Sequence, residues 1–168
     1  TVAHEQSGWI GNLIVAPHLR GQGYGGRLFQ AALDELTERG MSKSWLTASA
    51  QGQPIYERSG FVAVDRMERW LSVQSKPSCD EPGSRAIAEQ KLRDCDQLAW
   101  GEDRKVLLDK LSAHGRIFAC DDSVALLQRG ADLQIIGPWY SQSCCPRANR
   151  QLLQELLAAA DPDVEIVV

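Results

Sequence analysis

The sequence predicts an α/β fold of the α+β kind, a mixed sheet flanked by helices, laid out as a partial first copy followed by a second. Three observations predict it. Residues 9–40 read as an apolar strand, a glycine-rich turn and an amphipathic helix, and 44–71 add a strand, a short helix and a strand. Residues 133–168 repeat the order strand, proline, linker, helix, strand. Between the two lies 73–84, VQSKPSCDEPGS, whose serine, proline and charge mark a linker. The expected division is therefore 1–72, a linker at 73–84, and 85–168.

Each element has its own reason. Residues 1–8 are polar and end in Ser7-Gly8, as at a turn before a strand. Residues 9–15 are apolar almost throughout, the mark of a buried strand. In the next helix Leu28, Phe29, Ala32, Leu33 and Leu36 share one face; Asp34, Glu35, Glu38 and Arg39 lie mostly on the other, and Gly40 stops it. A strand is expected at 44–49. Residues 53–59 read as a short helix with Pro54 in its first turn and Gly60 at its end, followed by a strand over 61–71.

The second half is expected to open with a strand at 85–89, a short helix at 92–100, and a longer helix at 102–114 carrying Val106, Leu107, Leu108 and Leu111. Strands at 116–120 and 124–128 form a hairpin around Asp121-Asp122-Ser123. A strand at 133–140, a helix at 147–160 with Leu152, Leu153, Leu156 and Leu157, and a strand at 164–168 complete the order β-α-α-β-β-β-α-β.

Composition narrows the function. With 168 residues, 43% hydrophobic and 24% charged, the chain has an ordinary globular make-up and room for a sizeable core. No apolar run reaches the ~18 residues of a membrane helix, so no membrane partner is expected. A net charge of −4 without a basic block points away from nucleic acid and is compatible with a cationic amine. The five cysteines show no C-x-x-C spacing, which suggests neither a disulfide framework nor a metal site. Reduced thiols of this kind fit a cytoplasmic location.

The chemistry concentrates in Arg20-Gly21-Gln22-Gly23-Tyr24-Gly25-Gly26. A strand, a glycine loop and a helix in that order aim several backbone N–H groups and the positive end of the helix dipole at one spot, which suits phosphate. Glycines let the backbone take positive φ and approach a ligand closely. No Gly-Lys-Ser/Thr follows, so this is not a Walker A loop. Gly21-x-Gly23-x-x-Gly26 fits the dinucleotide fingerprint, but no acidic residue ends a following strand within a βαβ unit.

The longer string Val15-x-Pro17-x-x-Arg20-Gly21-x-Gly23-x-Gly25 resembles the acetyl-CoA loop of the GNAT N-acetyltransferase superfamily. Downstream, Tyr56-x-x-x-Gly60-Phe61 is similar to that family's second element. The resemblance implies an N-acetyltransferase that moves an acetyl group from acetyl-CoA to a primary amine of a small molecule, with no metal. It implies that the backbone of Gln22, Gly23, Tyr24, Gly25 and Gly26 holds the diphosphate and that Arg20 opens the loop. Leu13, Ile14 and Val15 would pair with the pantetheine arm through their backbone, and a strand N–H near Ile14 or Val15 would serve the oxyanion. Tyr56 matches the family's general acid. Glu5 and His4, just before the strand, are the candidates for a base, with water as the alternative.

Between Pro138 and its helix the second copy has no glycine, and Pro146 removes an N–H donor, so it is not expected to hold diphosphate. The chain thus resembles tandem GNAT proteins whose second domain is degenerate, a likeness that extends to Trp100-Gly101-Glu102-Asp103-Arg104 and Ile136-Gly137-Pro138. Trp100, Trp139 and Tyr140 would wall the acceptor side. On this reading the chain is cut at both ends: either a piece of a longer tandem protein, or a permuted domain whose residues 85–130 supply early strands. The second copy favours the piece. An open sheet edge invites another chain, so a homodimer is expected. A non-catalytic acyl-CoA-binding or sensing module is the alternative from another class.

Overall fold

A computed structural model describes residues 1–66, 71–72, 85–130 and 132–168. It divides into two units, Thr1–Met67 and Glu68–Val168.

In the first unit, β1 (Val2–Ala3) pairs antiparallel with β2 (Ser7–Ile10), and β2 pairs parallel with β3 (Lys43–Leu46). The connection from β2 to β3 contains the helix α1 (Tyr24–Glu38), so these elements form a β-α-β unit. Leucine, alanine, glutamine and glutamate favour that helix, and Glu35 supports it with an i,i+4 pair to Arg39 at 2.6 Å. Phe29 and Leu36 are buried with Ile10, and Leu13, Leu33, Leu46, Tyr56 and Phe61 pack around them. Gly8 is the contact point of strand and helix: a Cβ there would lie 2.3 Å from Leu36 Cδ2.

The second unit is a five-stranded sheet in the order β4-β8-β7-β6-β5. Its strands are β4 (Leu71–Ser72), β5 (Gly115–Cys120), β6 (Ser123–Arg129), β7 (Leu133–Ser141) and β8 (Glu165–Val167). Helices α3 (Arg85–Trp100) and α4 (Lys105–Ala113) lie on one face, and α5 (Pro146–Ala159) on the other; α2 (Gln53–Arg58) belongs to the first unit. The continuous apolar run of β6 is explained by this layering. Val124 and Leu126 enter the cluster with Ala88, Leu92, Cys95 and Leu108, while Ala125 and Leu127 enter the one with Leu152 and Leu156. The expected hairpin is present, Cys120 pairing with Ser123 across Asp121-Asp122.

One connection is alike in the two units. The strands β7 and β8 are parallel neighbours joined through α5, as β2 and β3 are through α1.

Four expectations need correction. Residues 85–89 are helical, not a strand: Ala88, Leu92, Cys95 and Asp96 fall on one buried stripe of α3, and Ala86, Glu89, Gln90 and Lys91 all favour helix. On α4 the buried side is Leu108, whereas Val106 is 71% exposed. The strand begun at residue 9 stops at Ile10, because Asn12 takes φ 54° and turns the backbone out of the β region. Finally, 61–66 form no strand, and Val62 and Val64 are exposed; among the described residues no neighbouring strand pairs with them. Leu71, the expected end of that strand, pairs instead with β8, as does Ser72. The expected linker at 73–84 lies outside the described residues.

Candidate active site

Because β2 and β3 are parallel, the segments leaving their C-terminal ends share one edge of the sheet. After Ile10 and Leu46 the ladder ends, and Leu13, Ile14 and Val15 belong to no strand. The backbone then makes a 3-10 turn over Pro17–Leu19, closed by Leu19 N–H to the Ala16 carbonyl at 2.9 Å and Arg20 N–H to the Pro17 carbonyl at 3.3 Å.

Gly23 is the N-cap of α1 at φ 81°, a left-handed conformation that glycine adopts without strain. It supplies no side-chain cap. Helix geometry leaves the N–H groups of Tyr24, Gly25 and Gly26 without intrahelical acceptors, pointing out of the helix start. A Cβ at Gly21, Gly23 or Gly26 would meet nothing within 4 Å, whereas one at Gly25 would lie 3.6 Å from Val15 Cγ2. Gly25 therefore faces Val15, while Gly21, Gly23 and Gly26 face open space. An uncapped helix start beside open glycines suits an anion such as a phosphate.

Two exposed polar side chains of the loop reach back to its own carbonyls. Arg20 Nε donates to the Val15 carbonyl at 2.9 Å, and Gln22 Nε2 to the His18 carbonyl at 3.2 Å. Tyr24 is 40% exposed, with the Arg27 guanidinium 5.9 Å from its ring centre.

Tyr56 stands on α2, which follows β3, so it shares the sheet edge with the loop. Its ring is half-buried, 5.0 Å from Phe29 and 6.4 Å from Phe61 between ring centres. Phe61 N–H bonds to the Tyr56 carbonyl at 3.1 Å and Gly60 N–H to the Glu57 carbonyl at 3.0 Å, with Gly60 at φ 90°. This is a glycine cap with an apolar clasp between its first and last residues. The same cap ends α1, where Met41 N–H reaches the Leu36 carbonyl at 3.0 Å and Gly40 N–H the Thr37 carbonyl at 2.9 Å. The spacing of Tyr56, Gly60 and Phe61 thus has a structural cause that needs no catalysis.

Glu5 is exposed in the turn between β1 and β2, where His4 N–H bonds to the Ser7 carbonyl at 2.8 Å. That turn is at the N-terminal end of β2, while Leu13–Gly26 and Tyr56 follow the C-terminal ends of β2 and β3. The structure brings the loop and Tyr56 to one edge and leaves Glu5 at the other.

In the second unit, Trp100 and Tyr140 belong to a polar network: Trp100 Nε1 donates to Tyr140 Oη at 3.3 Å, and Tyr140 Oη donates to Asp96 at 2.6 Å. Trp139 Nε1 donates to Asn149 at 3.2 Å. The sequence reading missed this network. Its signal was a carboxylate, Asp96, on the apolar stripe of a helix. A cavity of about 150 Å³ beside it is lined by Asp94, Asp96, Asp103, Arg93, Arg104 and Lys105, among others. Arg93 and Arg104 are already paired with Asp109 and Asp96.

Comparison with known families finds a match within the first half of the chain. Residues 2–70 match the acetyltransferase (GNAT) domain. The GNAT match takes in the glycine loop and the Tyr56 helix and covers less than half of the chain. A crystal structure from Pyrococcus horikoshii, named "Putative Acetyltransferase", aligns at TM-score 0.77 and 24% identity over 99% of this chain and 57% of its own. The chain therefore has a GNAT-like mixed α/β fold and spans little more than half the length of that structure. No curated protein matches it.

Proposed function

We propose that the chain carries an acetyl-CoA-dependent N-acyltransferase of the GNAT superfamily, acting on a primary amine of a small molecule. The observation that carries this reading is the uncapped start of α1 at Gly23, at the edge where β2 and β3 part, inside the residues that match the GNAT domain. Acetyl-CoA supplies an activated acyl group as a thioester. The N–H groups of Tyr24, Gly25 and Gly26 bind its diphosphate. The released backbone of Leu13, Ile14 and Val15 pairs with the peptide-like pantetheine arm, as an open strand edge pairs with an added strand. A backbone N–H of that stretch stabilises negative charge developing on the carbonyl oxygen. The amine nitrogen bonds to the carbonyl carbon, the C–S bond breaks, and Tyr56 gives its proton to the leaving thiolate. The amine's own proton passes to water, since Glu5 stands at the far end of β2.

A second reading, a non-catalytic acyl-CoA-binding or sensing module, is favoured by the packing of Tyr56 against Phe29 and Phe61. Both readings require CoA binding. Calorimetric titration with acetyl-CoA and with NAD, followed by an amine screen that detects released thiol, tests them. Binding with thiol release supports the enzyme, and binding without it supports the module. Tight NAD binding with no CoA binding would sink both.

A further inference from the structure

We infer that Arg20 is a positioning residue that holds the arm-binding backbone and the diphosphate loop in register, and is not itself a phosphate ligand. This rests on the acetyl-CoA reading of the same site. Arg20 is tied down twice: its Nε donates to the Val15 carbonyl at 2.9 Å, and its backbone N–H to the Pro17 carbonyl at 3.3 Å. The first bond fixes where Val15 lies. Val15 in turn faces the first turn of α1, its Cγ2 only 3.6 Å from where a Cβ on Gly25 would stand. A line of contact therefore runs from Arg20 through Val15 to the helix start whose N–H groups meet the diphosphate.

The guanidinium is planar and its donors are fixed in direction, so the Nε bond to Val15 fixes the plane of the group while Arg20 stays exposed. Gln22 behaves the same way toward the His18 carbonyl. Both side chains are anchored on loop carbonyls, and the diphosphate is assigned to the backbone N–H groups of the helix start. The grip also takes up one lone pair of the Val15 carbonyl, so the arm's pairing falls on the remaining backbone groups of Leu13, Ile14 and Val15.

The test is Arg20→Met, measured with CoA and with pantetheine, which lacks the diphosphate. A positioning residue serves both halves of the cofactor. Dissociation constants for both should therefore rise by a similar factor, about tenfold, with circular dichroism unchanged. A rise for CoA alone would make Arg20 a phosphate ligand and overturn the inference. Hydrogen exchange without ligand gives an independent measure. The Leu19 and Arg20 amides, which close the 3-10 turn, should exchange at least about fivefold faster in the variant, while amides of the β2–β3 ladder stay unchanged. Unchanged exchange at Leu19 and Arg20 would also overturn it. If the unaltered protein binds neither CoA nor pantetheine, the acetyl-CoA reading fails, and the exchange data still decide whether Arg20 holds the loop.

Discussion

Arg104 grips Asp96 inside the second unit with two hydrogen bonds, Nη2 to Oδ1 at 2.5 Å and Nε to Oδ2 at 3.1 Å. The pair is almost fully buried, at 8% and 1% side-chain exposure, and the guanidinium lies 3.8 Å from the Trp100 ring centre. Asp96→Ala leaves a buried arginine without its counter-charge and should cost about 3–5 kcal/mol. The half-exposed pair Arg93–Asp109 is the control, since Asp109→Asn should cost no more than about 1 kcal/mol. Urea unfolding followed by tryptophan fluorescence measures both. Equal losses would mean that burial does not set the value of the Asp96 pair.

The same network sets a response to alkaline pH. Burial first, and then the hydrogen bond to Asp96 and its charge, raise the Tyr140 phenol above its usual range, with Arg104 and Trp100 opposing. The folded chain keeps the phenol neutral while the unfolded chain ionises near pH 10. Its contribution is therefore fully present below about pH 10 and is lost as pH climbs toward the folded value. By pH 11 the loss from this group should be about 1.4 kcal/mol. Tyr140→Phe should be less stable at pH 8 yet lose less between pH 8 and 11, as read from urea midpoints. Parallel losses in the two proteins would remove Tyr140 as the cause.

Tyr56→Phe separates the two functional readings, because phenylalanine keeps the ring against Phe29 and Phe61 and leaves the Gly60 cap intact. If Tyr56 is the general acid, turnover should fall on the order of 10²–10⁴-fold with CoA affinity unchanged. Full activity in the variant assigns Tyr56 to packing alone.

At Gly26 stability and binding should move in opposite directions. The residue is helical and its missing Cβ would meet open space. Gly26→Ala should raise the stability of the free protein by up to about 1 kcal/mol. The added methyl occupies the side assigned to the diphosphate, so CoA affinity should fall. Thermal scans with and without CoA read both effects together, and unimpaired CoA binding would place the diphosphate elsewhere.

What the sequence made legible follows from how each signal arises. Helix α1 announced itself through a regular stripe and a glycine cap, and α5 through paired leucines. The β5–β6 hairpin showed as apolar runs around two aspartates. The glycine loop was legible because backbone approach and positive φ demand glycine. Elsewhere the deciding interaction lay far along the chain. Ala86-Ile87-Ala88 looks like a strand until Leu92 and Cys95 extend its period into a helix. The apolar character of 61–66 could not reveal that no strand among the described residues pairs with it. Arg20 could have faced phosphate or a loop carbonyl, and the bond from its Nε to the Val15 carbonyl was not legible in the sequence. Tyr56 carried both a catalytic and a capping pattern in the same six residues, and the sequence alone favoured the first.

The pairing of β4 with β8 has a consequence for the order of folding. Leu71 pairs with Val167, so this contact closes a loop of roughly a hundred residues, whose entropy must be met before the contact forms. The β2–β3 ladder, from Ser7 opposite Lys43 to Ile10 opposite Leu46, closes a loop of roughly a third that length, and α1 fills most of it with local contacts. The first unit's ladder should therefore assemble early, and the outer strand of the second should dock late. While β4 waits, the edge of β8 stands open to other chains, which makes this seam the point where refolding competes with aggregation.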